Sequence, residues 1–199
     1  MTKKKIIGIV QPTYLPWLPF FERMAVSDIF VILDDVQYSK NSNFNRNNIK
    51  SQNGRLLLTV PVSYKGKSPA TIREIEVGAD GKWQNKHWRT ISQLYARAPF
   101  WDRYRDQIES LLLSPKEKLI DVVLPVVNFL KTEFQISTPI KLSSEIPSWN
   151  QGNKKLVDIC KHFGGTHFVV RPGSDDYHPG NEFSPFQINF AHLTYSSIT

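Results

Sequence analysis

Ile6-Ile7-Gly8-Ile9-Val10, Gln11-Pro12-Thr13-Tyr14-Leu15-Pro16-Trp17-Leu18-Pro19 and Phe30-Val31-Ile32-Leu33-Asp34-Asp35 decide the fold class. Ile6 to Val10 is a short apolar run rich in β-branched residues, which predicts a buried strand. Pro12, Pro16 and Pro19 forbid its continuation and bias the residues before them away from helix. Phe20 to Val26 predicts a short helix, with Pro19 in its first turn. Asp28 turns the chain, and Phe30 to Leu33 predicts a second buried strand that ends at Asp34-Asp35. A strand–loop–helix–strand unit normally builds a parallel sheet. The expected class is therefore α/β with a mainly parallel sheet.

Working outward, Val36 to Asn53 is polar and rich in asparagine, and reads as a long loop. Leu56 to Val62 predicts a strand. Thr71 to Val77 alternates polar and apolar and predicts its half-exposed partner, with Gly66 in the connection. Together these form an expected β-hairpin insertion. A helical middle segment follows, over 83–96, 100–113, and a third helix begun by Ser114-Pro115 and kinked at Pro125. A strand is expected near Ile140 to Leu142, then a helix over 154–163 stopped by Gly164-Gly165. Strands at 166–170 and 186–190 close the chain, with a turn over 171–176 between them. No repeat, heptad run or Pro/Gly/Ser-rich linker interrupts the sequence, so one domain over 1–199 is expected.

The chain has 199 residues, of which 40% are hydrophobic and 22% charged, enough for a core without staples. Its one cysteine, Cys160, excludes an intrachain disulfide and a cysteine-rich zinc site. Only a short apolar stretch precedes Gln11-Pro12, too little for a signal peptide, and no run reaches the length of a membrane span. A cytoplasmic protein is the expectation. The net charge is +7, and it is localised. Between Val36 and Arg73 there is no acid, but there are seven bases: Lys40, Arg46, Lys50, Arg55, Lys65, Lys67 and Arg73. The remainder is neutral. This pattern fits one cationic patch for an anionic ligand, or equally a solvated basic loop and hairpin.

Phosphate-loop, dinucleotide, nucleophile-elbow and zinc-helix motifs are all absent. Asp34 and Asp35 end a buried strand, where α/β proteins place their ligand crevice. They suit a general base or a metal–phosphate contact, although paired aspartates also simply close strands. Gln11, Tyr14 and Trp17 lie on the loop after the first strand and offer an amide and two flat rings to a base or sugar. The bland alternative is a proline-locked loop packing its aromatics inward. Asn45-Arg46-Asn47 places a guanidinium, suited to phosphate, between two amides suited to sugar hydroxyls. His87, flanked by Trp83 and Trp88, is either an acid–base group near neutral pH or a satisfied core histidine. Cys160 reads as a small buried hydrophobe. No metal ligand set and no cofactor is assigned.

Several of these segments together resemble the WbqC-like family of bacterial polysaccharide-cluster proteins. They are Gln11 to Trp17, Asp28 to Tyr38, Asn45-Arg46-Asn47, Leu58 to Val62, Trp83 with His87, Leu156 to Cys160, and Tyr177. Many relatives carry a histidine before the Gln-Pro pair, where this chain has Val10. The resemblance adds Gln37 and Tyr38 to the binding residues Gln11, Tyr14, Trp17, Asn45, Arg46 and Asn47, with Asp34, Asp35 and His87 as the catalytic candidates. It implies a transferase acting on a nucleotide-activated sugar, by acyl or aminoacyl (glycyl-type) transfer to an amino sugar in O-antigen or related glycan synthesis. The expected partner is an anionic small molecule rather than nucleic acid. The alternatives are a non-catalytic glycan or nucleic-acid binder, or a nucleotidyl or glycosyl transferase.

Overall fold

A computed structural model describes residues 3–63, 69–78, 80–148, 150–171 and 180–193. In chain order its strands are β1 (Ile6–Val10), β2 (Ile29–Ile32), β3 (Arg46–Ser51), β4 (Gly54–Thr59), β5 (Val62–Ser63), β6 (Glu76–Val77), β7 (Ile140–Leu142), β8 (His167–Val170) and β9 (Asn189–His192). The α-helices are α1 (Leu18–Ala25), α2 (Lys82–Tyr95), α3 (Trp101–Leu113), α4 (Leu119–Glu133) and α5 (Gly152–His162). Gly66, Ala79, Tyr177, and the 172–176 part of the late turn lie outside the described residues.

The chain divides into two units. The first comprises the described residues of 1–11, 17–36 and 131–199. It holds a five-stranded sheet in the order β7-β2-β1-β8-β9, parallel throughout. The α/β expectation therefore holds. In the register, Ile7 faces Ile29 and Ile9 faces Val31, so the odd residues of both strands share one sheet face. That face packs with Leu156, Val157, Ile159 and Cys160 of α5 and with Phe168, Phe183 and Ile188. Phe168 and Phe183 stack with centroids 5.5 Å apart. Gly8, Val10, Phe30 and Ile32 lie on the opposite face, where Phe20 of α1 meets Phe30 edge-on at 5.2 Å. The two crossover helices thus cover opposite faces, as right-handed connections running in opposite directions along a sheet require. Each fully buried aliphatic or aromatic side chain here contributes roughly 1.5–3 kcal/mol.

Local chemistry sets the ends of these elements. Asp28 accepts the Ile6 N–H at 2.7 Å, tying the start of β1 to the turn before β2. The Thr138 hydroxyl closes the carbonyls of Met24 and Ser27 at 2.9 and 3.1 Å. After α5, Gly164 sits at φ +62. The N–H groups of Gly164 and Gly165 return to Lys161 and Cys160, a Schellman stop.

The second unit comprises residues 12–16 and 37–130. It contains the antiparallel ribbon β3–β4, the short pair β5–β6, and the helical segment. The hairpin insertion is present, but its strands differ from those expected. Arg46–Ser51 is strand, not loop, and pairs with β4 through a turn at Gln52-Asn53 that ends on Gly54 at φ +104. Asparagine is poor in strands, which hides β3 in the sequence. Thr71 to Val77 is mostly a 3₁₀ turn (Ile72–Glu74), because Glu74 accepts both the Thr71 N–H and hydroxyl, at 2.8 and 2.7 Å. Ser114 ends α3 rather than starting the next helix, and α4 begins at Leu119. In the first unit, Ser184–Phe186 is a 3₁₀ turn, so the last strand begins at Asn189 instead of Phe186.

Candidate active site at the strand ends

A parallel sheet sends the carboxyl ends of all its strands to one edge. In the first unit that edge carries Gln11 after β1, Asp34 and Asp35 beyond β2, Ser143 after β7 and Arg171 after β8. Asp34 is 2% exposed. Its Oδ1 accepts the Ser144 N–H at 2.9 Å and lies 3.2 Å from the Ser143 hydroxyl oxygen, and its Oδ2 accepts the Ser144 hydroxyl at 2.7 Å. These bonds use the carboxylate to hold the 3₁₀ turn Ser143–Glu145 against the end of β2. Asp34 therefore positions backbone.

Asp35 has different partners. Lys155 Nζ, from the first turns of α5, donates to Asp35 Oδ2 at 2.6 Å, and the Ser143 hydroxyl donates to Asp35 Oδ1. The Lys155 side chain is 8% exposed and that of Asp35 is 21%, so Asp35 is the member of the pair open to solvent. A buried lysine is costly unless paired, and this pair fixes the position of the carboxylate. Further along α5, Asp158 accepts from Ser148 and Asn150 at 2.7 Å each. Those hydrogen bonds, Asn150 first, hold its carboxyl below the usual range. They border an open depression of about 470 Å³ lined by Pro147, Ser148, Asn150, Asp158, Lys161 and His162.

The second unit gathers a separate group. Tyr14 is fully buried, and its hydroxyl lies 2.8 Å from His87 Nδ1. Burial first, then the Lys86 charge, lowers the His87 pKa to about 4, against a hydrogen bond to the Thr59 backbone that raises it. A neutral imidazole has one donor and one acceptor nitrogen. Which of the two groups donates in the Tyr14–His87 bond is set by the imidazole tautomer. Burial also pushes the Tyr14 phenol up. Trp83 meets His87 edge-on at 5.4 Å, and among the described residues its buried Nε1 has no hydrogen-bond partner. Asn47 Nδ2 donates to the carbonyls of Tyr14 and Leu15 at 3.2 and 2.9 Å. Asn45 is buried, donates to the Val60 carbonyl at 2.7 Å and accepts the Tyr38 hydroxyl at 3.1 Å.

The structure thus places Asp34 and Asp35 together, and Tyr14, Asn47 and His87 together in the other unit. The surroundings of three of these groups are as follows. The Tyr14 ring is enclosed rather than offered to a ligand. The Asn45 and Asn47 amides are engaged with backbone carbonyls rather than open to sugar hydroxyls. His87 is neutral at pH 7 and titrates far below the neutral range an acid–base group needs. Tyr14, Asn45 and His87 are buried in the second unit, and Asn47 is half-buried there. Gln11, Gln37 and Trp17 are exposed, and Arg46 and Tyr38 are half-buried. The Arg46 guanidinium donates to the Asn41 carbonyl. Sequence reasoning missed Ser143, Ser144 and Lys155. A lysine within the apolar stripe Lys155-Leu156-Ile159-Cys160 was the available signal. Cys160 is fully buried, which pushes its thiol up to about 12. Among the described residues no group of three or more His, Cys, Asp or Glu side chains can hold a metal ion. No helix among them is long and apolar enough to cross a membrane.

Fold and strand-end cluster define an α/β protein wound on both faces of a parallel sheet, with a carboxylate–lysine–serine cluster at the carboxyl edge of that sheet. The model of the WbqC-like protein family matches residues 11–199, and the chain belongs to that family. Membership fits a role connected with glycan biosynthesis. The chain is similar to the uncharacterized protein Rv1507c of Mycobacterium tuberculosis (strain ATCC 25618 / H37Rv). The two are 29% identical over 193 residues, which is 96% of this chain and 83% of that protein. No solved structure matches the chain.

Proposed function

We propose that this protein is a transferase of bacterial surface-glycan synthesis that moves an acyl or aminoacyl group onto the amine of a nucleotide-activated amino sugar. The observation that carries this reading is Asp35, a part-exposed carboxylate fixed by Lys155 at 2.6 Å on the carboxyl edge of a parallel sheet. An amine must be neutral to attack. As its nitrogen bonds to the acyl carbon of an activated ester or thioester, Asp35 takes the amine's proton. The carbon–oxygen or carbon–sulfur bond then breaks, and the alcohol or thiol leaves with that proton. Asp34 and the serine turn keep the base in place.

The first test is a melting screen with nucleoside diphosphate amino sugars, with and without magnesium. Ligand at 100 times its dissociation constant adds about 2.7 kcal/mol. Asp35→Asn should keep that stabilisation and lose transfer, read by mass spectrometry of the sugar, by about 10²- to 10⁴-fold. Full transfer by the variant would discard the reading.

A second reading, non-catalytic binding of a polyanion, is favoured by the β3–β4 ribbon. Arg46, Asn48, Lys50, Arg55, Leu57 and Thr59 lie on one of its faces by register, and all but Arg46 are exposed. It requires oligonucleotide binding whose salt slope falls by about 0.7–0.9 for each base removed.

A further inference from the structure

The β1–β8 ladder ends early. β1 pairs with β2 over four residues, Ile7↔Ile29 to Val10↔Ile32, and β8 pairs with β9 over four, His167↔Asn189 to Val170↔His192. Between β1 and β8 only Ile6↔His167 and Ile7↔Phe168 are paired. The register would set Ile9 opposite Val170, but the two strands are not paired there. This is also where the strand order turns back. The chain runs from β1 outward through β2 to β7, then returns to the other side of β1 with β8 and continues to β9. Doubly wound sheets bind ligands outside the carboxyl ends at such a reversal.

A cation already reaches this unpaired position. The Ile6 and Val10 carbonyls accept from the β2 side, from Asp28 and Leu33. The backbone groups of Ile7 and Ile9 therefore face β8, since successive residues of a parallel strand face alternate neighbours. In a continued ladder the Ile9 carbonyl would accept the Arg171 N–H. Arg23, reaching over from α1, donates its Nη1 to that carbonyl at 3.4 Å. Arg23 is half-buried, Arg171 follows β8 at once and is exposed, and the exposed Gln11 follows β1 at once.

We propose that the opening between the carboxyl-terminal halves of β1 and β8 binds the phosphate groups of a nucleoside diphosphate, with Arg23 at its floor and Arg171 and Gln11 at its mouth. Arginine forks match phosphate oxygens in pairs, and an amide completes the set. The identity of the ligand rests on the nucleotide-sugar reading, whereas the anion site rests on the ladder and Arg23. Asp35, at the end of β2, lies on the same edge. The arrangement assigns the phosphates to β1/β8 and the chemistry to β2/β7.

The test is calorimetric titration of the full chain with inorganic pyrophosphate and with uridine diphosphate, beside melting of the ligand-free variants. Wild type should bind both probes. Arg171→Ala should weaken both at least tenfold with an unchanged ligand-free melting point. Arg23→Lys, which keeps the charge but loses the fork, should weaken them severalfold and keep the fold intact. If wild type binds neither probe, or both variants bind as wild type does, the proposal is overturned. Arginine-dependent pyrophosphate binding without acyl transfer would uphold the site and remove the transferase reading. Transfer with an unchanged KM for the sugar nucleotide in Arg171→Ala would do the reverse.

Discussion

His87 is kept neutral by burial, with its pKa lowered to about 4 from an ordinary value near 6.5. The unfolded chain therefore binds the proton first as pH falls. Stability is full above pH 6.5, declines between 6.5 and 4, and levels below 4 as far as this group is concerned. Its contribution is about 3 kcal/mol, and urea melts across that range would show the slope. Replacing His87 with Gln should flatten it. Tyr14→Phe removes the hydroxyl from Nδ1 and leaves a buried ring nitrogen unpaired, a cost of about 1–3 kcal/mol read from the urea midpoint. In the other unit, Asp35→Ala strands a lysine that is 8% exposed and should cost about 3 kcal/mol. Adding Lys155→Met should recover most of that loss. If the double variant is no more stable than the single, the pair is not what the lysine contributes.

At the level of elements, β1, β2 and β8 were legible because each carries a buried apolar run, as a strand covered on both faces requires. Ile6–Val10 and Ile29–Ile32 appear within a residue of their expected bounds. The packing of α1 on β1 depends on Gly8. A Cβ there would lie 2.4 Å from Ser27 Oγ and 2.8 Å from Phe30 Cδ2. Gly8→Ala should cost about 1–3 kcal/mol with little change in m-value. The ribbon was not legible, because only Ile49 in β3 is strongly apolar. The Asn53-Gly54 pair before an apolar run was the missed turn signal. The proline loop shows the limit of reading residue types. Leu15 sits at φ +45 before Pro16, a strained placement held by the Asn47 amide on two carbonyls. Asn47→Ala should cost about 1–3 kcal/mol and open residues 12–16 to proteolysis.

For the molecule as a whole, the net charge of +7 arises from the acid-free stretch between Val36 and Arg73. Any polyanion held there will bind less tightly as salt rises. The titration with and without 0.5 M sodium chloride should weaken oligonucleotide binding far more than nucleoside diphosphate binding at the β1/β8 opening. The sequence by itself determined the α/β class, the parallel strands, the buried cysteine and the place of Asp34-Asp35 at a strand end, because apolar runs and proline punctuation act locally. Only the tertiary structure decided which polar groups are free to do chemistry. Tyr14, Asn45, Asn47 and His87 have the right residue types for a site, yet packing engages them with backbone or with one another. Lys155, Ser143 and Arg23 gain their meaning from partners 14 to 120 residues away in the chain. Hydrogen-bond partners at such separations are set by how strands and helices pack, and no local pattern records them.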